Sequence, residues 1–489
     1  MDVSQTAGWW SLLPPILAIG LALWTRQVFL SLGLGIAAGY LILAGGNPVA
    51  ATFDTIDAVV TVFSDAGNTR IILFTLVVGA LIALIQRSGG VAGFIAGLLA
   101  WLERRTQKAQ SKNQRVLVEL LALGTGLLLF IESNISILTV GTLFRPVADK
   151  LGMPREKLAL IADTGSAPSC VLIPFNAWGA YLMGLIAAEG LSQPFSQLVQ
   201  ATLLNFYPML ILVVLIIVIL SRKDIGEMKT AEARGTILRD GAVPMIADEA
   251  AETPPVPKIL SGAMKPRAFN MILPILTMVV LVPLFLIMTG EGDGWFARMQ
   301  DGSGSSAVLY ATSLAVMLAM LLYKVQGILG VRESMETALK GMGGMVPLAI
   351  LMLLAFALGS LCRTLGTGVF TADVTSAFLS PALMPALVFL ISCFVAFSTG
   401  TSWGTFAIMV PIAVPLASSY GIDPSLAIAA AIGGGVFGDH CSPTSDTSII
   451  ASMATGSDHI DHVRTQLPYA LVAGSLTVAA YLVLGVIYA

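Results

Sequence analysis

The chain has 489 residues, of which 56% are hydrophobic and only 11% are charged, and its mean hydropathy is +0.86. Soluble domains carry about 25% charged residues, so this composition excludes a water-soluble globule and indicates a protein whose main partner is the lipid bilayer. The 26 Lys and Arg nearly balance the 29 Asp and Glu, which leaves no basic surface for nucleic acid.

Ten apolar runs are long enough to cross a bilayer as helices. They cover residues 9–24, 27–45, 70–86, 157–187, 200–220, 269–289, 305–323, 345–361, 424–455 and 467–488. Two further apolar stretches, 116–150 and 385–418, are interrupted by polar clusters at 132–134 and 398–402. Because unpaired backbone cannot face lipid, each interruption must be packed in protein or line a wet cavity. We therefore predict an all-α polytopic membrane protein with about ten transmembrane helices, two re-entrant hairpins and discontinuous helices.

The two halves of the chain resemble each other. A polar stretch at 222–268, with eight Lys or Arg and seven Asp or Glu, predicts a linker between a first repeat, 1–221, and a second, 269–489. An offset of 269 residues brings small residues and prolines into register, among them Pro146 with Pro415, Gly152 with Gly421, Gly165 with Gly434, and Pro174 with Pro443. The same offset superposes the two hairpins, and it places the broken helix at 157–187 on the one at 424–455. A duplicated unit explains this pattern better than chance.

Charge predicts how the repeats are oriented. Nine Lys or Arg lie between 104 and 157, around the first hairpin, whereas residues 371–426 contain none. By the positive-inside rule, the first hairpin enters from the cytoplasm and the second from the opposite side, so the repeats are inverted. This topology places the 222–268 linker in the cytoplasm and both termini outside. Inverted repeats with broken helices are typical of secondary transporters, in which substrate and ions bind near the midplane.

Four acidic residues lie in the hairpins or helix breaks: Glu132, Asp163, Asp439 and Asp446. A charged group at membrane depth costs at least about 2.5 to 3.5 kcal/mol, so such groups are candidates for ion or proton binding. The alternative is a structural role, in which they cap half-helices or pair with buried Arg.

The segment from Gly438 to Thr447, which three glycines at 433–435 precede, is the densest polar cluster. Its glycines and Pro443 are expected to unwind the helix and free backbone carbonyls, while hydroxyls and carboxylates supply the oxygen ligands that Na⁺ prefers. The hairpin tips and the first break add further polar groups. The candidate substrate or ion ligands are Ser133, Asn134, Thr164, Ser166, Ser398, Thr399, Thr401, Ser402, Ser442, Thr444, Ser445 and Thr447.

Two candidates have two interpretations each. Trp403 beside the second hairpin tip either packs, which is the commoner case, or stacks on a ligand. His440 beside Asp439 is either a proton relay or a neutral imidazole bonded to a carbonyl. His459 and His462 lack a third ligand, so no transition-metal site is predicted. Residues as close in sequence as Asp439, His440 and Ser442 cannot form a hydrolytic triad, and no motif for ATP or another cofactor occurs.

Three long motifs carry a family resemblance: GDHCSPTSDTSIIASMATGSDHIDHVRTQLPYAL at 438–471, STGTSWGTFAIMVP at 398–411, and LTVGTLFRPVADKLGMPREKLALIADTGSAP at 138–168. They resemble the NhaC-type Na⁺/H⁺ antiporter family within the larger ion transporter superfamily. The resemblance covers both repeats and implies the inverted-repeat transporter fold, often as a homodimer, and not an enzyme. It places in the transport site Asp163, Asp439, Ser442, Ser445, Asp446 and the tip Thr401-Ser402-Trp403.

The first hairpin departs from the family pattern. Many relatives have Asp-Asp-Tyr where this chain has Glu132-Ser133-Asn134, which leaves ion stoichiometry and cargo open. The leading hypothesis is exchange of Na⁺ for H⁺ across a bacterial-type cytoplasmic membrane. The alternative is a Na⁺- or H⁺-coupled carrier of a small organic solute, such as an amino acid or organic acid, and the remote one is an intramembrane enzyme.

Overall fold

The fold of the chain is that of a computed structural model. The structure describes residues 7–25, 27–94, 96–97, 111–130, 132–174, 176–191, 193–239, 241–244, 266–367, 370 and 380–488. Within these residues the secondary structure is helical, apart from one isolated β-bridge between Pro244 and Asp458. The proline cluster that marks the predicted linker, at 254–257, lies outside the described residues.

The first half contributes twelve of the described helices. They are α1 (Leu13–Thr25), α2 (Val28–Leu43), α3 (Pro48–Thr61), α4 (Ala66–Arg87), α5 (Ser111–Leu128), α6 (Ser133–Lys150), α7 (Arg155–Thr164), α8 (Ala167–Leu172), α9 (Ala177–Ala188), α10 (Pro194–Leu203), α11 (Phe206–Ser221) and α12 (Met228–Arg234). Their starts follow ordinary capping chemistry: Asn47 caps α3 just before Pro48, and Asp65 caps α4.

The second half contributes ten more. They are α13 (Phe269–Thr289), α14 (Trp295–Asp301), α15 (Gly304–Val325), α16 (Val331–Gly344), α17 (Val346–Thr364), α18 (Met384–Thr399), α19 (Ser402–Ser419), α20 (Pro424–Cys441), α21 (Asp446–Thr455) and α22 (His459–Tyr488). Helix α22 begins eight residues before the predicted last span at 467, so its first turns include His462 and Gln466.

Nine helical segments of the described chain are long and apolar enough to cross a membrane, or ten if the bent pair that spans 155–188 is one crossing. This confirms a polytopic all-helical protein with about ten spans. The segments 381–399 and 402–419 each pass this test alone, so the re-entrant form of the second hairpin stays a prediction. Helices α3 and α16 were not predicted, because Asp54, Asp57, Glu333 and Lys340 interrupt their apolar sequence.

The predicted breaks occur, with more pieces than expected. The segment at 157–187 forms three helices, α7, α8 and α9, and the segment at 424–455 forms α20 and α21. Glu132 caps α6 and Thr401 caps α19, and these two caps are 269 residues apart. Asn176 caps α9 and Ser445 caps α21, again 269 residues apart. The breaks therefore recur at the offset found in the sequence.

One expectation about the second break was wrong. Helix α20 runs without interruption through Gly433, Gly434 and Gly435 and ends only at Cys441. A Cβ at Gly434 would meet the carbonyl oxygen of Phe389 on α18. The glycines therefore let two helices pack closely, as small residues do in membrane proteins, and the break itself falls at 442–445 around Pro443.

Helix α21 brings the two halves of the chain together. It packs against both α6 and α7 of the first half. At Gly141 on α6 a Cβ would collide with Ala454, and at Gly126 on α5 a Cβ would meet the carbonyl oxygen of Gly165 at 3.0 Å. These close approaches place the first hairpin beside the break after α7 and beside the end of α21.

Candidate ion-binding site

Asp439 forms one centre of the site. Its carboxylate is 1% exposed and accepts two hydroxyl hydrogen bonds. Ser402 Oγ, at the start of α19, donates to Oδ2 at 2.8 Å, and Ser445 Oγ, in the second break, donates to Oδ1 at 2.7 Å. Thr447 Oγ1 lies 3.0 Å from Ser445 Oγ and extends this hydroxyl cluster. The second hairpin tip and the second helix break therefore meet at this carboxylate.

Asp163 forms the second centre, and its contacts come from the other half of the chain. The residue is fully buried at the end of α7. Its Oδ2 accepts hydrogen bonds from Ser448 Oγ at 3.0 Å and from Gln466 Nε2 at 2.8 Å. Its Oδ1 has no hydrogen-bond partner among the described residues. The first half of the chain thus supplies a carboxylate that the second half holds.

Two imidazoles flank Asp163. His462 Nε2 lies 3.4 Å from Oδ2, and His440 Nε2 lies 3.9 Å from Oδ1. On its other side, His440 Nδ1 is 3.0 Å from the hydroxyl of Tyr207. His462 precedes the last span predicted from the sequence, which begins at 467, and the structure buries it fully in the first turns of α22.

Asp446 and Glu132 lie at the edge of these contacts. Asp446 is exposed at the first residue of α21, where Oδ1 accepts the backbone N–H of Thr447 at 3.0 Å. Glu132 accepts the N–H of Ile135 at 2.9 Å and borders a small apolar cleft with Met271. Within the described chain no hydrogen bond joins either residue to Asp439 or Asp163.

The remaining candidate ligands either contact groups close to them in sequence or space, or have side-chain atoms without a partner among the described residues. Ser166 and Thr399 donate to backbone carbonyls of their own helix ends, Thr401 caps α19, and Ser133 lies 3.5 Å from Glu132. Ser442 donates to the carbonyl of Phe397 and meets Thr444 at 2.9 Å, while Ser398 is half-buried in the last turn of α18. Within the described residues, no partner exists for the polar side-chain atoms Asn134 Oδ1 and Thr164 Oγ1.

Trp403 packs in an aromatic cluster. Its ring lies 4.5 Å from that of Trp178 and 5.0 Å from that of Tyr181, and the Tyr181 hydroxyl donates to the Trp403 carbonyl at 2.9 Å. These contacts fix the first turn of α19, and with it Ser402. Trp178 Nε1 is buried without an acceptor among the described residues.

A charged network on the linker side was missed by the sequence analysis. Lys157 on α7 is 2% exposed and pairs with Asp224, which also accepts the hydroxyl of Tyr469 at 2.6 Å. Arg115 on α5 pairs with Glu232 of α12. The described start of the 222–268 segment therefore ties α5 and α7 to α22. Lys157 lay inside a predicted span, and no local pattern in the sequence pairs it with a linker residue.

A separate cavity of about 660 Å³ lies away from the carboxylate pair. Asp54, Asp57 and Asp65 line it together with Tyr40 and Arg363. None of the residues predicted for the site lines this cavity. The three aspartates are exposed, as are Phe53 and Val60 on α3, so the cavity opens to the surroundings.

The arrangement can bind a small cation or protons. Two buried carboxylates are surrounded by hydroxyls, an amide and imidazoles, and no Lys or Arg of the described chain pairs with either. Hydroxyl oxygens that donate to a carboxylate keep lone pairs for a cation. The described residues hold no cluster of three or more His, Cys, Asp or Glu with the geometry of a metal site.

Known proteins resemble this chain in sequence and in fold. Residues 169–486 match the model of the Na⁺/H⁺ antiporter family. An uncharacterized protein of Haemophilus influenzae is 31% identical over 98% of this chain and 91% of its own length. The arginine/ornithine antiporter ArcD of Halobacterium salinarum is 38% identical over 22% of each chain. The fold is similar to that of the Alcanivorax borkumensis YdaH transporter, with a TM-score of 0.58, 14% identity, and coverage of 96% of this chain and 98% of that one.

Proposed function

Because the chain belongs to the Na⁺/H⁺ antiporter family, a family of transporters and not of enzymes, we propose that it exchanges Na⁺ for H⁺ across a bacterial-type cytoplasmic membrane. The observation that carries the proposal is the carboxylate of Asp439, which is buried and, among the described residues, is held only by the hydroxyls of Ser402 and Ser445. The family match makes the chain a multi-pass secondary transporter, and the ions are our proposal.

The charge of Asp439 has to be compensated. An ionised carboxylate in a low-dielectric interior is costly unless an opposite charge accompanies it, and neutral hydroxyl donors do not remove the net charge. A bound Na⁺ or a bound proton does remove it. Because one carboxylate cannot hold both at full occupancy, competition between Na⁺ and H⁺ for it couples the two fluxes in opposite directions.

The neighbouring groups suit this exchange. Ser402, Ser445 and Thr447 provide neutral oxygen ligands beside the Asp439 carboxylate, and Asp446 is exposed at the start of α21, where an arriving cation meets a negative charge. Asp163 lies on the far side of the same helix start. We assign Na⁺ binding to the Asp439 centre and include Asp163, Asp446 and Glu132 as the further carboxylates of the transport site.

The architecture that we propose has two inverted repeats, 1–221 and 269–489, joined by a cytoplasmic linker. The recurrence of the caps Glu132 and Thr401, and of Asn176 and Ser445, at one offset supports the duplication. The lack of Lys and Arg in 371–426 supports opposite orientations for the re-entrant hairpins at 116–150 and 385–418. Both termini then lie outside.

A second candidate function is Na⁺- or H⁺-coupled transport of a small organic solute. Two observations favour it. The chain is similar to an arginine/ornithine antiporter. The indole N–H of the buried Trp178, which lies beside Trp403, has no acceptor within the described chain. An organic cargo has the apolar surface and hydrogen-bond acceptor that such a pair of rings accommodates, whereas a bare ion has neither.

Flux in proteoliposomes separates the two functions. Purified protein is reconstituted with a pH-sensitive dye inside, and an outward or inward Na⁺ gradient is imposed without any organic solute. Na⁺-driven proton movement that reverses with the gradient supports the antiporter. Proton or Na⁺ movement that occurs only when an amino acid or organic acid is added supports the solute carrier and contradicts our proposal.

A further inference from the structure

Gln466 lies where the two carboxylate centres meet. It sits in the second turn of α22 and is 1% exposed. Its Nε2 donates to Asp163 Oδ2 at 2.8 Å and to the carbonyl oxygen of His440 at 2.8 Å. The amide group has two N–H donors, and each is used. One side chain of the second repeat thus bridges the carboxylate of α7 and the end of α20.

The orientation of this amide follows from its partners. A carboxylate oxygen and a backbone carbonyl only accept hydrogen bonds, so the nitrogen and not the oxygen of Gln466 must face them. The carbonyl of His440 belongs to the last turn of α20, where backbone acceptors have no partner within the helix. Gln466 therefore supplies a hydrogen-bond donor to a backbone carbonyl at the end of α20. This is the helix that carries Asp439, the residue before His440.

The amide also determines which carboxylate oxygen of Asp163 is left without a hydrogen bond. With Ser448 and Gln466 both on Oδ2, the other oxygen, Oδ1, has no hydrogen bond within the described residues. Gln466 Oε1 and Thr164 Oγ1 are likewise buried without partners there. Because the amide is neutral, it orients the carboxylate without compensating its charge.

We propose that Gln466 is a positioning residue that fixes Asp163 relative to the Asp439-bearing end of α20, so that an ion at one carboxylate changes the affinity at the other. The proposal rests on the proposed function of the site and deepens it. It differs from a packing role, because a residue that only packs would affect folding stability and leave the response to Na⁺ unchanged.

The test replaces the amide by a side chain of similar length without donors, Gln466→Met. Gln326→Met is the matched control: Gln326 Nε2 also makes a side-chain hydrogen bond, to Asn270 Oδ1 at 2.8 Å, at the end of α15. The full chain in detergent is melted over a series of Na⁺ concentrations at constant ionic strength with choline as the replacing cation. The readout is the Na⁺ concentration that gives half of the maximal stabilisation.

We expect this concentration to rise about tenfold or more in Gln466→Met, the factor that loss of a hydrogen bond to a charged group produces, and to stay unchanged in Gln326→Met. In a double-mutant cycle, Asp163→Asn should abolish the further effect of Gln466→Met, because Gln466 then has no carboxylate to position. Gln466→Leu provides a second variant if the Met variant does not fold.

Two results would overturn the inference, and they are distinguishable. If the wild type responds to Na⁺ and the Gln466 variants respond at the same concentration, the positioning role is wrong while the proposed function stands. If the wild type itself shows neither a Na⁺ shift nor Na⁺-driven proton flux, the proposed function is wrong and the role of Gln466 fails with it.

Discussion

Ser448 donates its hydroxyl to Asp163 across 3.0 Å, and this bond joins the first turn of α21 to the end of α7. Three residues earlier, at the cap of the same helix, Ser445 donates to Asp439. The start of one helix therefore holds a carboxylate from each half of the chain. The positive end of the helix dipole lies beside both, which favours the charged form of each carboxylate.

The first prediction concerns the charge of Asp439. Asp439→Asn keeps the shape of the side chain but removes the group that binds Na⁺ or H⁺. Stabilisation by a ligand that binds only the folded state follows RT ln(1 + [L]/Kd), about 2.7 kcal/mol at a hundredfold excess over Kd. We expect Asp439→Asn to lose this Na⁺-dependent shift in melting temperature and to lose Na⁺-driven proton flux. Asp446→Asn should lose both as well.

Asp423→Asn is the matched control for this experiment. Asp423 caps the opposite end of α20 by accepting the N–H of Ser425, and asparagine caps helices equally well. The control should therefore keep the wild-type Na⁺ shift and flux. A Na⁺ shift retained in full by Asp439→Asn would contradict carboxylate competition and favour the organic-solute function.

The next prediction compares the effect of a substitution at Glu132 with the effect at Asp439. Glu132 caps α6 and borders an apolar cleft, and within the described part of the chain it shares no hydrogen bond with the Asp439 and Asp163 centres. We expect Glu132→Gln to fold and to change the Na⁺ dependence of flux less than Asp439→Asn does. The measurement is the Na⁺ concentration at half-maximal flux for both variants. An equal or larger effect at Glu132 would place the principal ion at the first hairpin instead.

Much of this site could be predicted from the sequence because its residues interrupt apolar segments. Polar groups at membrane depth stand out in a hydropathy profile, and this signal located Asp163, Asp439, Ser402 and Ser445. The repeat offset, read from a few glycines and prolines, also located the breaks at which helix caps recur. The family resemblance, confirmed by the family match, added the tip at 401–403.

Other features depend on tertiary contacts that a linear pattern does not encode. His462 and Gln466 lie in a polar stretch next to a long apolar run, where the same sequence suits an interfacial segment. Only the packing of α22 against α7 and α20 buries them beside Asp163. The glycines of α20 were assigned to unwinding because glycine is also a helix breaker, and their packing role appears only when α18 is placed against them.

The hydroxyl of Ser402 provides the next prediction. Ser402→Ala leaves Asp439 Oδ2 without its donor, and hydrogen bonds to charged groups contribute about 1.5 to 3 kcal/mol. We expect the Na⁺ concentration at half-maximal stabilisation to change by about tenfold or more, with rescue by Ser402→Thr. Ser392→Ala is the control, because Ser392 is equally buried but donates to the carbonyl of its own helix at Val388. Equal Na⁺ responses in the two alanine variants would remove Ser402 from the site.

The buried pair of Lys157 and Asp224 leads to a prediction about stability. Removing one partner of a buried ion pair leaves an uncompensated charge and typically costs about 3 to 5 kcal/mol. We expect Lys157→Met to lower the melting temperature of the Na⁺-free protein strongly, and the double variant Lys157→Met/Asp224→Leu to recover part of the loss. Arg332→Met, at an exposed pair with Glu336, should have almost no effect. If Lys157→Met melts like the wild type, the linker start does not hold α7.

The last prediction tests the inverted topology. All four cysteines, at 170, 362, 393 and 441, are buried, so the native protein is a suitable background for labelling with a membrane-impermeant maleimide in intact cells. Lys229→Cys places an exposed thiol in the linker, and Asp293→Cys places one in the exposed loop between α13 and α14. Because the basic residues concentrate on the linker side, we expect Asp293→Cys to be labelled in intact cells and Lys229→Cys only after the cells are opened. Labelling after lysis controls for accessibility at both positions. The reverse pattern would place the nine basic residues of the first hairpin outside the cell, and the orientation proposed for both repeats would then have to be exchanged.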